Sequence, residues 1–161
     1  MPDSLRIGYP VARVSAAGRL WRSLVAHLSL AISLLFWAGA VLVALSALIH
    51  LHLWSTGYRH IHTIGPLFLV QAVGGLAVAV AIAVSRHYLM AVAGTVFVAG
   101  TIAGLVISVE VGLFGFRDNL EAPYATSSLI LEGAAFVVLV LAASAASAAW
   151  RRHRRTIFSG R

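Results

Sequence analysis

Four histidines, His50, His52, His60 and His62, follow the pattern His-x-His-x7-His-x-His, and four of the chain's five carboxylates, Glu110, Asp118, Glu121 and Glu132, occur further along. Imidazole and carboxylate are ligand types that zinc, copper, nickel and iron accept, so a metal ion held among His50, His52, His60, His62, Glu110 and Glu132 is the first chemistry these residues suggest. A carboxylate close to several imidazoles also suits a proton-coupled step near neutral pH. The chain has no cysteine, which excludes thiolate metal sites, disulfides and cysteine nucleophiles. It also has no phosphate-binding glycine loop, nucleophile-elbow serine or HExxH helix.

The elements that must position these residues are unusually apolar. The 161 residues are 60% apolar and 11% charged, with a mean hydropathy of +0.92. Globular domains are about 45–50% apolar and about 25% charged. The composition predicts an all-α integral membrane protein. A spanning helix needs about 20 mostly apolar residues, and four stretches qualify, at about 24–53, 64–84, 89–115 and 127–150. A basic segment, 1–23, precedes this transmembrane domain of 24–150 and a basic tail, 151–161, follows it. Thr63 reads as the N-cap of the second helix, with Pro66 in its first turn. A cleaved signal peptide is a competing reading of the N-terminus, but the apolar run from Leu28 to Ile49 exceeds the roughly 7–15 residues of a signal core.

Arginine placement predicts the topology. With an even number of spans, both termini and the Ser85–Tyr88 link share a side, which collects ten of the twelve arginines and leaves Arg59 and Arg117 opposite. Basic flanks stay in the cytoplasm, so both ends are expected there, in a bacterial plasma membrane. The net charge of +7 then reflects topology and attraction to anionic headgroups in the lipid bilayer. A nucleic-acid partner is not expected, because the arginines abut helix ends without interleaved stacking aromatics.

This topology gathers His50, His52, His60, His62, Glu110, Asp118, Glu121 and Glu132 at the extracytoplasmic rim. Residues two apart on a helix point about 200° away from each other, so His50 and His52 cannot both face the bundle unless the helix unwinds. The plainer reading makes His50, Glu110 and Glu132 boundary residues, where spans end beside an aromatic belt of Trp54, Tyr58, Phe116 and Tyr124. Arg59, Arg117 and the rim histidines are the expected partners of Glu110 and Glu132. Gln71, about 10 Å into the second helix by rise, is expected to hydrogen-bond between helices. Gly100-x3-Gly104 and Ala99-x3-Ala103 on the third helix, and the Ala142–Ala149 run on the fourth, form small-residue faces suited to close packing within the bundle or against another chain.

The run Gly57-Tyr58-Arg59-His60-Ile61-His62-Thr63-Ile64-Gly65-Pro66-Leu67-Phe68-Leu69 resembles one found in uncharacterised small four-helix membrane proteins of actinobacteria. The resemblance covers about a tenth of the chain and implies a plasma-membrane location, with no activity and no site residues attached.

Three functions remain open from sequence. The chain is expected to be a non-catalytic accessory or scaffold protein, packing with another membrane protein or with itself through its Gly/Ala faces. The alternative is a metal- or haem-binding, redox-linked protein using the rim histidines and glutamates. The third is a proton-coupled transporter, which four spans make oligomeric. The topology is testable: a reporter fused after Arg161 should be active only as a cytoplasmic reporter, and activity of a reporter that works only outside the cell would overturn the orientation.

Overall fold

The computed structural model describes residues 16–159; the first fifteen residues, with Asp3, Arg6 and Arg13, and the last two lie outside them. Four α-helices make up nearly all of the described chain: α1 (Ala16–Thr56), α2 (Ile64–Ser85), α3 (Tyr88–Glu110) and α4 (Ala125–Ser159). All four are long and apolar enough to cross a membrane. The chain divides into a first unit ending at Ala31 and a second, Ile32–Arg161, that contains the four-helix body. In the first unit α1 carries exposed Leu20, Leu24, Val25, Leu28 and Leu30.

Within the four-helix body, buried positions recur at alternating intervals of three and four. In α4 they are Ala125, Ser128, Glu132, Ala135, Leu139 and Ala142; in α2 they include Ala72, Gly75, Ala79 and Ile82; in α1, Phe36, Ala40, Val43 and Ala47. That spacing is the stripe helices present in a left-handed bundle. The inward residues are mostly small and the outward ones are Leu, Val and Ile, the arrangement expected where the surroundings are as apolar as the core. Small residues let backbones approach closely. A Cβ on Gly75 would lie 2.9 Å from the Ala47 Cβ, and one on Gly94 would lie 2.7 Å from the Ile82 Cδ1.

The connections differ from the expected boundaries in three places. α3 stops at Glu110 and not at Gly115, because Gly112 and Gly115 take left-handed backbone angles (φ 91° and 80°) and Leu113 and Phe116 bond to each other across a tight turn at 2.7 and 2.9 Å. Arg117 then caps the helix, donating from Nη2 to Glu110 O at 2.6 Å and from Nε to Val109 O at 3.1 Å. Thr63 precedes α2 but caps nothing with its hydroxyl, since its own backbone is left-handed (φ 66°). Finally, α4 continues through the basic tail to Ser159, where no glycine or proline interrupts an arginine-rich, helix-favouring run. The tight α2–α3 link is capped instead by His87, whose Nδ1 accepts from Leu89 N at 3.3 Å.

The α1–α2 connection folds a single 3-10 turn, Tyr58–His60, against the start of α2. A Cβ on Gly65 would lie 2.7 Å from Arg59 O and 2.8 Å from Tyr58 O. Those are main-chain atoms that cannot swing aside. Gly65→Ala should therefore lower stability by about 1–3 kcal/mol, read as an earlier thermal transition in detergent, whereas Gly57→Ala, with open space around its Cβ, should be close to neutral. Equal transitions for the two variants would refute the close approach.

Candidate functional site

Glu132 sits seven residues into α4, about 10 Å along the helix by rise, on the buried stripe described above. It is 2% exposed, a buried residue of the bundle. A buried carboxyl group demands partners, and α1 supplies them. Ser46 Oγ donates to Glu132 Oε1 at 2.8 Å, and His50 Nε2 lies 4.0 Å from the same oxygen. One helical turn separates Ser46 from His50, which places both on one face of α1. Ser46 serves twice, because its main-chain carbonyl accepts from His50 Nδ1 at 2.9 Å. A carbonyl only accepts, so the Nδ1 nitrogen carries hydrogen and, in the neutral ring, Nε2 presents its lone pair toward Glu132.

These groups line a cavity of about 480 Å³, within the roughly 300–1,000 Å³ range of small-molecule sites. Its polar lining is Glu132, His50, Gln71, Thr101, Ser108, Ser128, Asp118 and Tyr58; the remainder is apolar or aromatic. Gln71 lines the cavity, and no interhelical hydrogen bond from its side chain is seen among the described residues. At the loop end, Tyr58, Leu113, Phe116, Asp118 and Pro123 line the cavity. Tyr58 stacks on Phe68 at 4.4 Å between ring centroids and meets Phe116 edge-on at 5.9 Å, while Phe68 also packs on the His50 ring at 5.3 Å. Burial, and then the negative charge of Asp118, raise the Tyr58 pKa above its ordinary value, so its hydroxyl keeps its proton. The Asp118 amide bonds to Ser108 Oγ and Ser108 O, each at 3.3 Å, pinning the second loop to the end of α3. Two lining residues, Val70 and Val96, are 66% and 67% exposed, so the cavity reaches the apolar outer surface between α2 and α3.

Gly100 and Gly104 line this space, and a Cβ on either would touch nothing within 4 Å. The Gly-x3-Gly pattern of α3 therefore makes volume for the cavity and brings no helix close.

The sequence-predicted ligands fall into separate environments. His50 and Glu132 come together. His52 is on another face of α1, edge-on to Tyr124 at 5.4 Å between ring centroids, as the helical angle required. His60 Nε2 accepts from Arg59 Nε at 2.9 Å, His62 Nδ1 pairs with Thr63 Oγ1 at 3.0 Å, and Glu110 is exposed at the end of α3. Neither Arg59 nor Arg117 partners a glutamate side chain through these bonds, since one holds His60 and the other caps carbonyls. Among the described residues no group of three or more His, Asp or Glu is arranged to hold a metal ion, and His50 is the single histidine lining the cavity. Ser46, Thr101, Ser108 and Ser128 belong to the site and were not singled out from sequence for it. The available signal was spacing: Ser46 is four residues before His50, and Ser128 four before Glu132.

No protein-family model, curated protein or solved structure matches this chain.

The hydrogen-bond pattern makes a specific spectroscopic prediction. In 15N-histidine-labelled protein, neutral His50 should show a protonated Nδ1 and an unprotonated Nε2. Ser46→Ala should keep that tautomer, because the acceptor is main-chain, while losing about 1–2 kcal/mol of stability with the hydroxyl. A protonated Nε2 with a bare Nδ1 would contradict the geometry.

Proposed function

We propose that this chain is a multi-pass protein of the bacterial plasma membrane, with both ends in the cytoplasm, that binds an apolar or amphipathic small molecule in the cavity between its helices. The observation that carries this reading is the cavity itself: about 480 Å³, walled by apolar and aromatic side chains, with a few convergent polar groups around the buried Glu132. That combination is the usual form of a small-molecule site. The opening beside Val70 and Val96 suits entry from lipid.

The arginine distribution supports the orientation, and the four apolar helices support a multi-pass membrane location. The run that resembles actinobacterial four-helix membrane proteins contributes Tyr58, Ile64, Leu67 and Phe68 to the cavity wall, which gives that stretch a binding role here. An accessory or scaffold role rests on small-residue faces available to a partner; Gly100 and Gly104 face the cavity instead.

Saturable binding of the neutral fluorophore N-phenyl-1-naphthylamine to the full chain in nanodiscs tests the reading. The wild-type protein should bind it above empty nanodiscs. Gly100→Leu, which fills open space without meeting a neighbouring helix at its Cβ, should reduce affinity at least about tenfold, as expected for losing a well-fitted apolar site, while circular dichroism stays unchanged. Binding no greater than that of empty nanodiscs, or equal binding by the variant, would refute a ligand cavity.

A further inference from the structure

We infer that the cavity selects an organic cation, a molecule with an amine or quaternary ammonium group on an apolar body, whose charge is met by Glu132. The inference rests on the proposed binding role and adds the charge of the ligand to it. The net charge of the chain is +7, carried by twelve arginines, yet among the described residues no arginine lines the cavity. Its ionisable lining is Glu132, Asp118, His50 and Tyr58, so its two acidic groups have no permanent cation among them. The two arginines nearest in sequence are engaged elsewhere: Arg59 with His60, and Arg117 with the carbonyls of Val109 and Glu110.

Each remaining feature fits the same ligand. His50 Nδ1 is engaged with Ser46 O, and its Nε2 lies 4.0 Å from Glu132 Oε1, beyond hydrogen-bond distance. A ligand cation supplies the missing charge directly, in surroundings where an unpaired carboxylate is costly. Tyr58, Phe68, Phe97 and Phe116 add aromatic rings to the lining, and ring faces attract ammonium groups. Asp118 at the loop end and Glu132 deeper in the cavity place a carboxyl group at each level of the space. An anion would meet two carboxylates and no arginine.

Binding of tetraphenylphosphonium and tetraphenylborate, ions of similar size and opposite charge, to the full-length protein in nanodiscs provides the test, with empty nanodiscs subtracted. The phosphonium should bind at least about tenfold more tightly than the borate. Glu132→Gln, which keeps an oxygen for Ser46, should weaken phosphonium binding at least about tenfold, as loss of a desolvated charge partner does, with N-phenyl-1-naphthylamine binding retained. Asp118→Asn should cause a smaller loss, about two- to threefold, that fades at high salt. If the neutral probe binds but the phosphonium has no advantage over the borate, or Glu132→Gln and Asp118→Asn both leave its affinity unchanged, the cation inference fails and the cavity reading stands. If neither probe binds saturably, both fail.

Discussion

A carboxyl group at a core position of an apolar helix is tolerated only when neighbouring elements satisfy its oxygens, and the upper half of this bundle is organised around that condition at Glu132. Ser46 meets it from α1 with a hydrogen bond, and His50, one turn on, lies 4.0 Å from the same oxygen, its imidazole oriented by the main-chain carbonyl of Ser46. The constraint ties α1 to α4, which also meet where Gly39 faces Leu139. It also fixes which way His50 faces, and Phe68 and Tyr58 continue the same wall by ring contact to the loop end.

Packing and emptiness are produced by the same residue type in different places. At Gly75 and Gly94 a missing side chain lets α2 and α3 approach Ala47 and Ile82. At Gly100 and Gly104 it leaves room, since no neighbouring atom occupies the vacated volume. The buried stripe of α3 runs through Ala91, Gly94 and Val98, and full burial is next reached at Ser108. Between them α3 faces the cavity. The lower half of the bundle is thereby close-packed and the upper half hollow, with Glu132 near the boundary.

Charge is distributed with the same economy. Arginines cap a helix end, hold a loop histidine or, in Arg154, lie over the Trp150 ring 4.3 Å from its centroid. Two acidic groups, Glu132 and Asp118, reach the interior space. The chain is strongly basic, yet among the described residues its cavity is lined by two acidic groups and no arginine.

The apolar composition and four long hydrophobic stretches were enough to establish an all-helical chain with four candidate spans, because segment hydropathy is a local property that length alone can test. The opposed directions of His50 and His52 were equally legible, following from helix geometry. Counting residues along a span located Glu132 along the helix axis and said nothing of the face it presents, which is the buried one. The three–four spacing from Ala125 to Ala142 would have placed it inward. Which histidine meets a carboxylate, which glycines pack and which leave space, and that Asp118 shares a cavity with Glu132 were decided by tertiary structure. Those outcomes depend on the rotation and separation of helices distant in sequence, set by all four apolar stripes together.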